Sequence, residues 1–335
     1  MQRVASLLAG VLVLSAAHLA AQAPARRDLK IAMIAKSSAN FVFLSARRGA
    51  EDAARALSQR HGVRIEVVWL TPPREDAAVQ AERVAQAVRE GAQAILIACS
   101  DSGALTPAIN AAVDKGVAVM TFDSDVPASK RFGFYGADDA DMGDKIMTDL
   151  ADLLGGKGTI AILAGNPNAS NLKARAEAVR KAAGRYKGIE VVAVVHHVET
   201  PQDAVTEMLK LNAAQPDLAG WAMVGGWPLF RSSQTPNLMA DLEKRKQKIV
   251  AVDALPDELS YVDRGLVPVL WAQPTYQWGK VGVETIVDKV LFGKSVPVKT
   301  RMELVKVTRK TLGSWARMLQ GWGFTGVPEE YLKLP

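Results

Sequence analysis

Two carboxylates stand where ligand chemistry is expected. Val117-Ala-Val-Met-Thr-Phe-Asp-Ser-Asp-Val126 is an apolar run delivered onto Asp123, and Lys248-Ile-Val-Ala-Val-Asp-Ala-Leu-Pro256 is a second such run delivered onto Asp253, 130 residues later. A parallel strand buried on both faces is continuously Val/Ile/Leu-rich, and ligands of open α/β sheets collect just outside the carboxyl ends of such strands. Asp123 and Asp253 therefore look like one position used twice.

Other chemistries are poorly supplied. Gly321-Trp-Gly-Phe-Thr-Gly326 spells G-x-G-x-x-G, yet it follows no strand and opens no βαβ unit. Gly156-Lys157-Gly158 has the wrong order for a phosphate loop, and no G-x-S-x-G elbow occurs. His18, His61, His196 and His197 have no metal-ligand spacing. The lone Cys99 ends the buried run Ala94-Ile-Leu-Ile-Ala-Cys99, where a free thiol behaves as a small hydrophobe. We expect neither an enzyme nor a cofactor or metal site. The net charge of +6 is spread along the chain with no basic run of five, which argues against a nucleic-acid partner.

The elements that must position the two carboxylates follow from length and pattern. A chain of 335 residues, 49% apolar and 23% charged, is globular and too long for one ordinary domain. Arg3, the apolar stretch Val4 to Ala17, and Ala21-Gln22-Ala23 have the layout of a secretory signal peptide over residues 1–23, too short to span a membrane. The leader contains no Cys for a lipid anchor, so a periplasmic protein is expected. Beyond it, strands at Lys30–Ala35, Arg64–Leu70, Ala94–Ala98 and Val117 onward alternate with helical patterns at Val42–Arg60, Asp76–Gly91 and Leu105–Gly116. The pattern then restarts. Thr159–Ala164, Gly188–Val194 and Ala219–Val224 echo the first three strands, and Leu172–Tyr186, Pro201–Ala214 and Pro236–Lys246 are the helices between. Gly133–Ala137 and Val267–Ala272 form a last matching pair. This is an α/β chain of two similar doubly wound parallel-sheet lobes, with a ligand site expected between them.

Lys36-Ser-Ser-Ala-Asn-Phe-Val-Phe43, Gly49-Ala50, Thr121-Phe-Asp-Ser-Asp125, Asn171-Leu-Lys-Ala-Arg175, Val252-Asp253, Ala272-Gln273 and Gly282-Val-Glu-Thr285 together resemble the ribose-binding type of periplasmic substrate-binding proteins of sugar ABC transporters. The resemblance runs from Lys30 to about Thr308. It implies a type I periplasmic binding protein fold with three crossover hinges, near Ala137, Gln273 and Glu303. The first lobe would then be 29–136 plus 274–303 and the second 137–273 plus 304–309, leaving 310–335 as an extension. It also implies a monomer that captures a sugar and delivers it to an inner-membrane permease.

Sugars present hydroxyl edges and apolar ring faces, which call for carboxylates, amides and aromatics. Carried over by the resemblance, Asn40, Asp123, Asp253 and Gln273 fall on hydroxyl-binding positions and Phe43 on a ring-stacking position. Asn171 belongs to the same set. Four departures reshape the site: Val42 precedes Phe43 where the family has a second aromatic, Ser124 stands for an Arg, Lys173 stands for a ring-contacting Arg, and Gly225-Gly226-Trp227 stands for Asn-Asp. Trp227 implies a differently shaped ligand, so sugar is expected but ribose is not. Trp271 also falls near the expected cleft. Lys36 and Lys173 leave an acidic or phosphorylated sugar open, and Lys36 also fits an autoinducer-2-like or sugar-sensing receptor subunit. The effector core of a transcription regulator would need a helix-turn-helix in place of the leader. The aromatics Trp315, Trp322 and Tyr331 of the extension are expected either to dock on one lobe or to meet a partner.

Overall fold

The computed structural model describes residues 28–230 and 236–335, so the expected leader lies outside the described residues. The chain begins with β1 (Leu29–Ile34), α1 (Phe41–His61), β2 (Ile65–Trp69), α2 (Ala77–Arg89), β3 (Ala94–Ile97), α3 (Ser102–Asp114), β4 (Ala118–Phe122) and β5 (Gly133–Gly136). It continues with α4 (Asp139–Leu154), β6 (Lys157–Gly165), α5 (Ser170–Ala183), β7 (Gly188–His196), α6 (Pro201–Ala214), β8 (Gly220–Met223), α7 (Pro236–Arg245), β9 (Lys248–Val252), α8 (Leu259–Asp263) and β10 (Val269–Ala272). It closes with α9 (Thr275–Val290), β11 (Lys299–Arg301), β12 (Val305–Val307), α10 (Leu312–Gly321) and α11 (Glu329–Leu332).

Among the described residues two six-stranded sheets form, in the orders β11-β5-β4-β3-β1-β2 and β12-β10-β9-β8-β6-β7. The repeat read in the sequence is thus a repeat of topology, with β6 in the place of β1 and β9 in the place of β4. Only the edges differ, since β11 runs parallel to β5 whereas β12 runs antiparallel to β10. The chain passes from one sheet's layer to the other's three times: between β5 and α4, between β10 and α9, and between β11 and β12.

Local chemistry sets the element ends. Asn40, Asp76, Asp101 and Asp138 each cap a helix through a side-chain oxygen that accepts a backbone N–H, at α1, α2, α3 and α4. In the first lobe α1 and α9 pack backbone to backbone. A Cβ at Gly49 would lie 1.9 Å from the Tyr276 carbonyl oxygen, and one at Gly279 would lie 1.8 Å from that of Ala46, so both positions require glycine. Buried Gln80 ties the ends of β1 and β3 together, donating to the Ala35 and Ala98 carbonyls at 2.9 and 2.8 Å and accepting from the Ser100 N–H at 2.9 Å. That clamp fixes the points from which Lys36 and Ser100 leave the sheet.

Candidate functional site

Each parallel strand that reaches the gap between the lobes hands over a polar group at its carboxyl end. Lys36 follows β1, Glu75 lies in the loop after β2, Ser100 follows β3 and Asp123 follows β4. From the second lobe come Asn166 after β6, Glu199 after β7, Gly225-Gly226-Trp227 after β8 and Asp253 after β9. Asp123 and Asp253 both leave the extended conformation for positive φ, 54° and 89°, and Ala254 follows at 114°. Such backbone is costly for a non-glycine residue, although Asp bears it better than most. Each turn is anchored alike: Asp123 N–H donates to the Tyr135 carbonyl at 3.2 Å and Asp253 N–H to that of Trp271 at 3.1 Å.

A buried polar chain joins the two carboxylates. Helix α5 presents Asn171 and Arg175 one turn apart on one face. Asn171 donates from Nδ2 to Asp123 Oδ1 at 3.0 Å, across the gap. Arg175 donates from Nε to Asp139 Oδ1 at 2.8 Å, from Nη1 to the Val224 carbonyl at 3.2 Å and from Nη2 to Gln273 Oε1 at 3.0 Å. It also lies 3.8 Å from Asp123. Gln273, at the second crossover, donates from Nε2 to Asp253 Oδ1 at 3.0 Å, and the Gly226 N–H donates to Asp253 Oδ2 at 3.3 Å. Asp123, Asn171, Gln273 and Asp253 are thus brought together, with Arg175 at the centre.

A second buried cluster bridges the lobes. Lys36, 2% exposed, places Nζ 3.1 Å from Glu199 of the second lobe and 3.8 Å from Glu75 of its own. Asn166 Nδ2 donates to Glu75 Oε1 at 2.8 Å. Ser124 Oγ meets Ser170 Oγ at 3.3 Å across the same gap.

Burial governs the charges. It lifts the Asp123 carboxyl to about 6 against the opposing pull of Lys36 and Arg175, and it lifts Glu75 to about 7 against Lys36. Asp253 is raised for the same reason, despite hydrogen bonds from Gln273 and the Gly226 N–H. For Lys36 burial opposes the charge, but Glu199, Glu75 and Asp123 outweigh it and hold the ammonium above its usual range. Lys36 is therefore committed to protein carboxylates.

Several expected site residues sit elsewhere. Phe43 does not offer a ring face: it is 2% exposed, with its ring centroid 6.3 Å from that of Phe122 and 6.0 Å from that of Trp278. Helix periodicity turns it into the first lobe's core and leaves Phe41 facing outward. Asn40 is half-buried and spends its side chain capping α1, accepting from Val42 N–H at 3.2 Å. Lys173 is exposed, in a recess of the rim with Asp101, Ser102 and Glu177. The cation at the centre is instead Arg175, two residues on. Trp227 is 3% exposed and stands edge-on to His197 at 4.8 Å. Its ring fills space left by two glycines, since a Cβ at Gly165 or Gly225 would come within 2.7 or 2.5 Å of it. Trp271 donates to Asp149 at 2.9 Å within the second lobe.

Arg175, Glu75, Asn166, Glu199 and Asp139 were not among the candidates. Their common signal was available: four lie just past a strand or at a helix start, and Arg175 lies one helical turn from Asn171. Among the described residues no cluster of His, Cys, Asp and Glu is placed to hold a metal ion. No described helix is long and apolar enough to cross a membrane.

Comparison with known proteins places this arrangement. The model of the periplasmic binding protein domain matches residues 31–295. The chain is 37% identical over 155 residues to a D-ribose/D-allose-binding protein of Pseudomonas aeruginosa, covering 41% of this chain and 46% of that one. It is 30% identical over 129 residues to a xylitol-binding protein of Mycolicibacterium smegmatis, covering 38% and 37%. The matched stretch thus spans less than half of either relative. In fold it is similar to an ABC-transporter solute-binding protein of Burkholderia graminis solved in complex with D-arabinose, with a TM-score of 0.77 and 23% identity over 85% of this chain and 97% of that one. With two like-ordered, mostly parallel sheets, three crossovers and strand-end polar groups facing one gap, the chain belongs to the periplasmic binding protein family, in its type I fold.

Proposed function

We propose that this chain is an extracytoplasmic binding protein that captures a neutral, polyhydroxylated ligand, a sugar or sugar alcohol, between its lobes and delivers it to an ABC transporter permease. The observation that carries this reading is the buried chain from Asp123 through Asn171, Arg175 and Gln273 to Asp253. Carboxylates that accept, beside amides and a guanidinium that donate, held in fixed orientation across two lobes, match the alternating needs of hydroxyl groups. The names of the relatives, a ribose/allose binder and a xylitol binder, support the same ligand class. An acidic or phosphorylated ligand is disfavoured, because Lys36 already faces Glu199 and Glu75 and the remaining carboxylates would repel an anion.

Residues 1–23 act in this reading as the export signal, and the lobes are the two units divided at the three crossovers. The protein would bind its ligand as a monomer and release it unchanged, since the described groups at the gap are carboxylates, amides and cations paired with one another. A thermal-shift screen across pentoses, hexoses, pentitols and uronic acids tests the reading. Stabilisation is expected from members of the first three classes, and a ligand at 100 times its dissociation constant adds about 2.7 kcal/mol. Stabilisation by uronic acids alone, or chemical conversion of the ligand seen by mass analysis, would reject it.

A further inference from the structure

The extension after β12 does not dock on one lobe; it touches both. Trp315 Nε1 donates to the Ala254 carbonyl of the second lobe at 2.7 Å, beside Asp253. Trp322 stacks on Tyr276 of α9 in the first lobe, with ring planes 2° apart and centroids at 5.8 Å. The two indoles meet edge to face at 5.6 Å. Arg317 secures the chain's end by donating to the Leu332 and Leu334 carbonyls at 3.1 and 2.6 Å. The extension is thus a folded bridge over one flank of the gap between the lobes.

Under that bridge lies a cavity of about 470 Å³, built from three separate parts of the chain. Phe41, Leu44 and Ser45 come from α1, Phe230 from the second lobe, and Trp322 and Phe324 from the extension. Its walls are mainly aromatic and aliphatic. Phe41, Phe230, Trp322 and Phe324 supply rings, and no residue of the Asp123–Asp253 chain lines it. Ser45 has a hydroxyl with no hydrogen-bond partner and almost no exposed surface, so it meets an occupant only after turning about χ1. Arg48 and Asp257 both line the cavity, one charge of each sign, so the lining carries no net charge to select an ionic ligand. A volume of this size, apolar walls and a single orphaned polar group are the marks of a small-molecule site.

We propose that this cavity is a second ligand site, distinct from the gap between Asp123 and Asp253, and that it takes an uncharged aromatic ring bearing one hydroxyl. The ring packs among Phe41, Phe230 and Phe324, and the hydroxyl satisfies Ser45. Because the walls come from both lobes, an occupant makes its full contacts only when the lobes are together, and it favours the closed arrangement. By reciprocity, a polyol in the gap and a phenol under the bridge each raise the other's affinity. This inference goes beyond the sugar-binding reading, because it concerns different residues and a different ligand chemistry.

Calorimetric titration of the full chain with 4-methylphenol, and with toluene as the ring without a hydroxyl, tests it. One molecule of 4-methylphenol is expected to bind per chain, at least about fivefold more tightly than toluene, as a hydrogen bond of ordinary worth requires. Ser45→Ala should abolish that difference. Leu44 is 41% exposed, so Leu44→Arg should fill the cavity without disturbing the core and reduce phenol binding at least tenfold, an order-of-magnitude loss by steric exclusion. Asp123→Ala should weaken polyol binding at least about tenfold while leaving the preference for 4-methylphenol over toluene in place, which separates failure of this site from failure of the sugar reading. No saturable binding of 4-methylphenol overturns the proposal. So does binding that Leu44→Arg leaves unchanged.

Discussion

The turn at Asp123 and the turn at Asp253 are the same construction in two surroundings. Both carboxylates follow the fourth strand of a lobe, both sit at positive φ, and both backbone N–H groups donate to the neighbouring fifth strand. Their side chains are partnered differently. Asp123 is satisfied across the gap, by Asn171 and by the nearby guanidinium of Arg175. Asp253 is satisfied at home, by the Gly226 N–H and by Gln273 at the crossover. Separating the lobes would therefore strip Asp123 and leave Asp253 dressed. One carboxylate is held from across the gap, while the other is held within its lobe and at the crossover.

The largest effect should come from the residue that serves both. Arg175→Met leaves half-buried Asp139 without its cationic partner and frees Gln273, and breaking a buried pair from one side costs about 3–5 kcal/mol, with the lower end expected here because Asp139 is 16% exposed. Chemical denaturation should record that loss, and a variant as stable as the parent would mean that the buried chain does not link the two turns. Next come the turns themselves. Asp123→Ala and Asp253→Ala should each weaken polyol binding by about 1.5–3 kcal/mol, the worth of a charge-assisted hydrogen bond, with both folds intact. If calorimetry finds either variant binding normally, the two turns do not share a ligand.

Acidity sharpens the comparison further. Burial raises the Asp123 carboxyl to about 6 and Glu75 to about 7, from 3.8 and 4.5. A carboxyl raised on folding contributes stability that is complete below its ordinary value and is lost as pH rises through the raised one. Thermal unfolding from pH 4 to 8 should therefore show the contribution of these two groups fading up to about pH 7, and Asp123→Asn with Glu75→Gln should flatten that slope. An unaltered slope would mean that neither carboxyl changes its proton affinity on folding. The smallest effect is optical. Trp322 touches Tyr276 on one lobe and Trp315 bonded to the other, so its emission should respond to polyol, whereas Trp271, bound to Asp149 inside the second lobe, should stay silent. Substituting Trp322 by Phe should remove the response, and a response that survives must come from elsewhere.

The fold was legible because its signals are local. A β-branched run that ends on Asp, repeated with its flanking helices, is visible without knowing any contact. The strand ends also gave Asp123 and Asp253, and the resemblance gave Asn171 and Gln273, all of which the structure brings together. What stayed hidden depends on which way a helix faces. Phe43 and Phe41 are two residues apart on α1, and only packing against Phe122 and Trp278 decides which ring turns inward. Lys173 and Arg175 are likewise two apart on α5, and the rim and the centre exchange between them. The route of the extension was illegible for a related reason: its indoles meet groups some 60 and 46 residues distant, Ala254 and Tyr276, that no local pattern announces.

The positive φ of the two strand-end aspartates also limits how the proposed binding site can be inherited. A position held in left-handed backbone accepts Gly, Asn and Asp with least strain, and β-branched or bulky residues badly. Routes by which descendants of this chain change ligand are therefore narrow at Asp123 and Asp253. The open steps exchange a carboxylate for an amide of the same shape or for no side chain at all, and each keeps the turn while discarding the charge. New preferences should arise first at positions with ordinary backbone around the same gap, such as Ser124 and Trp227, leaving the paired turns as the slow-changing part of the lineage.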